Sequence, residues 1–200
     1  MKPILFNTDM VRAILKGRKT VTRIVIKDKD IINAWDCESD GTPISFIDQE
    51  TGDSHPPAFP CQYQPGDILY VRETWARSMA GTYLYKATDT PIILDWWHPC
   101  IYMPKEAARL FLRVTDVQVE RLQDITDEGA KAEGANWKHG HHVGVVEKMR
   151  RGAVERFAEI WASTIKPADL PLYGWDANPW VWVIEFERIS KEAAQKGGEG

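Results

Sequence analysis

The chain has 200 residues, a formal net charge of −4 and an apolar share of 44%. That length allows one domain with insertions around a real core, and the net acidity excludes a protein whose whole surface is a nucleic-acid footprint, so any anion site must be local. Three cysteines, Cys37, Cys61 and Cys100, are an odd number without Cys-x-x-Cys spacing, which argues against a disulfide framework or a zinc ribbon and points to a reducing cytoplasm.

Residues Met1–Asn7 lack the apolar run of a signal peptide, and no stretch is long and apolar enough to span a bilayer, so no membrane partner is expected. Ile4–Phe6 is a short strand candidate. Thr8 reads as a helix N-cap with Asp9 in the first turn. Val11, Ile14 and Leu15 recur at helical spacing, and Gly17 stands where a C-terminal glycine cap belongs. Thr20–Ile26 is β-branched and apolar, a strand. Residues 28–62 are rich in Asp, Gly, Pro and Ser and read as a long insertion, with a hairpin around Pro43–Ile47.

Gln64-Pro65-Gly66-Asp67 is a turn leading into the strand Ile68–Glu73. Tyr83–Lys86 is another strand candidate, and Trp96-Trp97-His98-Pro99 an aromatic loop within a second insertion at about 87–108. Leu110–Glu120 is a long strand. Thr126 caps a short helix that ends near Gly134. Val146, Met149, Ala153, Phe157 and Ile160 mark one face of a helix closed by Pro167. Trp180–Ile189 is the closing strand, with Trp180, Trp182, Ile184 and Phe186 on one face and Val181, Val183, Glu185 and Glu187 on the other. The polar, glycine-rich residues 190–200 read as a flexible tail. The element order predicts α+β rather than regular βαβ, in a single domain over 1–189.

The chemistry concentrates at Gly17-Arg18-Lys19-Thr20-Val21-Thr22-Arg23. Residues 11–27 hold six Lys or Arg and no Asp or Glu, a local charge reversal that suits an anionic ligand. A threonine hydroxyl needs a base to become a nucleophile, and a lysine serves only when burial or neighbouring cations disfavour its protonated form. In a flat strand residues three apart face opposite ways, so Lys19 must lie on the turn after Gly17 to work with Thr22. The plain alternative is a solvated basic turn. Arg72 suits a phosphate, and Glu73 suits a pair with Lys19 or Arg23, or a salt bridge at a rim. Trp75, beside them, suits base stacking, while Trp180 and Trp182 read as core. His139, His141 and His142 share a loop without a convincing fourth ligand, so no metal and no cofactor are expected.

Four segments together resemble the ASCH family of the PUA-like superfamily: Gly17–Arg23 after a helix, Gln64–Leu69 opening a strand, Ile125–Gly134, and Val181–Phe186. Val71-Arg72-Glu73-Thr74-Trp75 resembles a longer branch of that family found in phages and prophages. The resemblance implies a small PUA-like β-barrel of mixed or antiparallel sheet, with flanking helices and long loop insertions. It also implies a cleft for RNA or a modified nucleoside or nucleotide. One small bacterial member is an amidohydrolase that removes the acetyl group from acetylated cytidine. Its working Lys, Thr and Glu carry over to Lys19, Thr22 and Glu133. Where it has an Arg two residues after the Thr, this chain has Ile24, with Arg23 one place earlier. Three readings follow: a binding module using Arg18, Arg23, Arg72, Glu73 and Trp75; an amidohydrolase acting through Lys19, Thr22 and Glu133; and a single-stranded RNA ribonuclease using the same cations.

Overall fold

The computed structural model describes residues 1–27, 36–38, 45–48, 50–56, 60–89, 96–135 and 152–197. The strands are β1 (Lys2–Leu5), β2 (Val21–Val25), β3 (Asp36–Glu38), β4 (Ser45–Ile47), β5 (Ser54–His55), β6 (Ile68–Arg72), β7 (Trp75–Arg77), β8 (Tyr83–Tyr85), β9 (Phe111–Arg121) and β10 (Trp180–Ile189). The helices are α1 (Thr8–Leu15), α2 (Asp127–Ala132), α3 (Ala153–Thr164), α4 (Leu170–Tyr173) and α5 (Lys191–Lys196). This is a mixed α+β fold. Its main sheet runs β1-β6-β9-β10-β2, beside a three-stranded sheet β3-β4-β5 and the hairpin β7-β8. Among the described residues the main sheet is open, with β1 and β2 at its edges. β1 and β6 are parallel, Ile4 opposite Val71, and β6 and β9 antiparallel, Leu69 opposite Leu112. Phe186 N donates to Thr20 O at 2.9 Å and Ile26 N to Trp180 O at 3.0 Å. The partners run in opposite order along the chain, so β2 and β10 are antiparallel.

The chain divides into two compact units. The first comprises Met1–Thr20, Tyr63–Asp116 and Glu185–Gly200. In it α1 is capped by Asn7, whose side chain accepts from Met10 N at 2.9 Å, so the cap falls one residue before Thr8. At the other end Gly17 takes φ +67°, Gly17 N donates to Ile14 O and Arg18 N to Ala13 O. This crossed pair of bonds satisfies the last carbonyls and requires a left-handed residue, which glycine supplies without strain. The Pro65-Gly66 turn is closed by Asp67 N donating to Gln64 O at 3.0 Å, with Gly66 at φ +90°. Ile68, Met103, Ala107, Ala108, Phe111 and Ala194 form a buried cluster. Ala194 lies on α5, which is capped by Ser190. Residues expected to form a flexible tail therefore include a packed helix. Its buried face is one small alanine, which gives no hydrophobic periodicity to read.

Guanidinium groups tie down residues 81–87 and 101–103. Arg12 donates to Lys86 O and Ala87 O, Arg77 to Gly81 O, and Arg72 to Met103 O and Ile101 O. Trp75 and His98 exchange both backbone bonds, at 3.2 and 2.7 Å. Trp75 itself lies in β7, paired with Tyr85 of β8.

The second unit comprises Val21–Gln62 and Val117–Ile184. Its core gathers Val21 from β2, Leu122 and Ile125, Ala130 from α2, Phe157 and Trp161 from α3, and Val181 and Val183 from β10. Trp161 also donates its indole N–H to Tyr173 O at 2.8 Å. Thr126 caps α2 as expected, accepting from Gly129 N at 3.0 Å. Trp180 and Trp182 are core, Trp180 packing edge-on against Phe46 at 5.3 Å. Val146, Met149, Pro43 and the histidine loop lie outside the described residues.

Candidate functional site

Among the described residues, the buried polar or charged ones are Lys19, Thr22, Glu73 and Glu133. Each sits where local geometry fixes it. Lys19 belongs to the first unit and follows the glycine-capped end of α1, where it forms a β-bridge just before β2 rather than lying on the turn at Lys16 and Gly17. It is 2% exposed, and its ammonium lies 5.5 Å from the centre of the Phe6 ring. Removing an ammonium ion from water is expensive unless partners replace the lost hydration, and the aromatic face supplies part of that.

Thr22 and Glu133 belong to the second unit. Thr22 is buried on β2, pointing to the face opposite Val21 and Arg23. Glu133 is the C-cap of α2, which ends by the same device as α1. Gly134 takes φ +88°, Gly134 N donates to Lys131 O and Ala135 N to Ala130 O. A carboxylate at a helix C-terminus is opposed by the helix dipole. Arg23 offsets this, its Nη1 donating to Glu133 Oε1 at 3.3 Å while its Nε donates to Glu120 Oε1 at 2.7 Å. The Arg23 side chain is 5% exposed and lies over the Phe157 ring, 5.7 Å from its centre.

The structure thus brings Arg23 and Glu133 together and adds Glu120, which the sequence did not single out. It also redirects the residues expected to hold an anion. Arg72 is spent on the carbonyls of Ile101 and Met103. Glu73, for which Lys19, Arg23 or a plain salt bridge stood open, pairs with Arg109, which donates from Nε at 2.8 Å and Nη2 at 2.9 Å to its two oxygens. The Glu73 side chain is 1% exposed. Its backbone N–H donates to Met103 Sδ at 3.1 Å. Arg109 also donates to Thr88 Oγ1 at 2.9 Å and stacks 3.9 Å from the centre of the Tyr85 ring. Arg109 carried no local motif. The only signal in the sequence was the need of a buried Glu73 for some cation. Arg18 is exposed on the turn.

Trp75 meets Tyr83 at 5.7 Å and His98 at 4.9 Å between ring centres. Among the described residues, no group of three or more His, Cys, Asp or Glu is arranged to hold a metal ion, and no helix is long and apolar enough to cross a membrane.

No protein-family model matches the chain, and no curated protein matches it. A solved structure, that of an Enterococcus faecalis protein described as a DUF984 family member, aligns over 94% of this chain and 71% of its own. It does so at 13% sequence identity and a TM-score of 0.40, a likeness that carries no argument about fold or function.

Proposed function

We propose that this chain is an ASCH-type, PUA-like protein that takes up RNA or a modified nucleoside at the Gly17–Arg23 motif. The observation that carries the reading is burial. Of the four polar or charged residues buried among those described, Lys19, Thr22 and Glu133 are the three that correspond to the working residues of the family it resembles. Burial of ionisable and hydroxyl groups is expensive and concentrates at sites that use them. On this reading the five-strand sheet is part of a PUA-like barrel, in a cytoplasmic protein.

The engagement of Arg23 and Arg72 inside the fold shifts the emphasis from phosphate to the nucleoside itself. Exposed Arg18 is the predicted cation still directed at solvent, a modest hold on a polyanion. The ribonuclease reading relied on the same cations and is weakened with them. The second reading, hydrolysis of an acylated nucleobase amine, is favoured by the burial of Lys19. On that reading Thr22 is the nucleophile and Lys19 its base, with Glu133 orienting the lysine or protonating the leaving amine.

The test is to incubate the purified protein with N4-acetylcytidine, and separately with labelled single-stranded RNA, beside Thr22→Ala and Lys19→Ala. Thermal melts show that each variant is folded. Deacetylation abolished by both substitutions is the result expected of the hydrolase. Intact nucleoside with salt-dependent RNA retention is the result expected of the binding protein. Neither signal from the wild type refutes the proposal.

A further inference from the structure

Pro3 and Leu5 share one face of β1 and are both exposed, Leu5 at 47%. In the β1-β6 register Pro3 stands opposite Tyr70 and Leu5 opposite Arg72, so all four side chains lie on that face. The segment after Pro99 crosses it. The Arg72 guanidinium donates to Ile101 O and Met103 O, and Lys105 Nζ lies over the Tyr70 ring at 5.7 Å. Met103 is buried, but Ile101 and Tyr102 turn outward, 57% and 70% exposed. Pro3, Leu5, Ile101 and Tyr102 thus make one apolar patch, all within the first unit. Four such side chains present on the order of a few hundred Å², comparable with the largest patch on an ordinary monomer, and patches of that size mark contact surfaces. The backbone beneath is already fixed. Arg72 holds it by two bonds, and Met103 N donates to Cys100 O at 3.1 Å. Little ordering entropy therefore opposes a contact there.

We propose that a second copy of this chain docks on the patch across a two-fold axis, through side chains rather than through the strand edge. The edge itself is closed. Phe6 N donates to Arg72 O, so Ile4 and Phe6 turn their backbone groups to β6 while Pro3 and Leu5 turn theirs outward. Pro3 has no N–H to offer, and its carbonyl accepts from the Tyr63 hydroxyl at 2.8 Å, so an added strand finds no ladder there. The rim argues for the occupant. Lys105 and Glu106 adjoin each other and are both exposed, and Lys2 pairs with Asp67 at 2.6 Å. The Arg72 charge is directed into two carbonyls. A strongly acidic or basic partner would set its charge against a like charge in one of these pairs. A two-fold brings Lys105 of each copy to Glu106 of the other, because a contact of one residue with a second is repeated in reverse. A stable interface has an apolar core inside a polar rim. The patch supplies the core and these charges the rim.

Sedimentation equilibrium of the purified chain over a wide range of concentration tests the assignment, with urea unfolding as the check on folding. The expected result for the wild type is a reversible, concentration-dependent monomer–dimer equilibrium. Tyr102→Lys and Leu5→Ser, at two separate places on the patch, should each raise the dimer dissociation constant about tenfold or more. Their urea midpoints, measured at a concentration where the wild type is monomeric, should match it, since both side chains are exposed. Glu106→Lys should weaken the dimer by setting cation against cation, and the exchanged pair Lys105→Glu/Glu106→Lys should restore it. A wild type that stays monomeric at every concentration overturns the proposal. So does a dimer that Tyr102→Lys and Leu5→Ser leave intact, which would place the contact on another surface. An exchanged pair no better than Glu106→Lys alone overturns the two-fold pairing.

Discussion

Replacing Arg109 with methionine should be among the most damaging single changes in the first unit. The substitution removes the two bonds to the Glu73 carboxylate at 2.8 and 2.9 Å, the bond to Thr88 at 2.9 Å and the stack on Tyr85. Water cannot replace them at Glu73, whose side chain is 1% exposed. Breaking a buried ion pair from one side costs about 3–5 kcal/mol, because the partner charge stays behind without hydration. Arg109 is itself 27% exposed, so solvent already screens its side of the pair, and the expected loss lies near the lower limit, about 3 kcal/mol. That is a large part of the stability of an ordinary domain. Urea unfolding followed by circular dichroism reads it directly. The companion variant Glu73→Met/Arg109→Met removes both charges, and pairs replaced by apolar groups of similar volume are often neutral. It should recover most of the loss. A single variant that loses less than about 1 kcal/mol, or a double variant no more stable than the single, would refute the view that Glu73 depends on Arg109 for its charge.

Two further changes probe other parts of the fold. Burial raises the Asp67 carboxyl, but the Lys2 ammonium at 2.6 Å and the Gln64 N–H at 2.8 Å outweigh it and hold the group below its usual range. The folded state therefore binds fewer protons than the unfolded one. The stabilisation is complete above the unfolded carboxyl value of about 3.9 and is lost as pH falls through the lower folded value. Asp67→Asn should lose about 1 kcal/mol or less at neutral pH, given an exposed Lys2, and should unfold less steeply with acid below about pH 4. An unchanged acid profile would contradict this. Gly129→Ala would ordinarily gain about 1 kcal/mol inside a helix. Here the new Cβ would stand 3.2 Å from Arg23 Nη2 and 3.3 Å from Ile125 Cγ1, and Arg23 is pinned by two carboxylates. The variant should unfold at the same or lower urea than wild type, and a clear gain would show that Arg23 yields.

How much of this was legible depended on whether the cause lay nearby in sequence. β10 was read over its full span, since seven of its ten residues are aromatic or β-branched. The glycine-capped end of α1 and the Thr126 cap of α2 were legible because each is a bond across three to five residues. Asn7 and Thr8 are both good caps, and only the backbone settles which is used. The candidate site was legible as residues but not as partners. Lys19, Thr22 and Glu133 stood out by motif, while Glu73 and Arg109 are 36 positions apart and Arg23 and Glu133 are 110 apart. Charge sign alone cannot choose among the cations available to a buried carboxylate. β7 was missed because Trp75–Arg77 is too short to show alternation and is a strand only through its pairing with β8.

The guanidinium bonds of Arg12, Arg72 and Arg77 to the carbonyls of Lys86, Ala87, Ile101, Met103 and Gly81 carry a consequence for heredity. Every amino acid has a carbonyl, so at exposed positions such as Lys86 and Ile101 these bonds are indifferent to the side chain carried, whereas Met103 is also fixed by burial. Substitutions at those exposed positions can accumulate without disturbing the bonds that hold the backbone there. The same economy makes the three arginines poor places to vary, because each governs residues it does not resemble and does not adjoin in the chain.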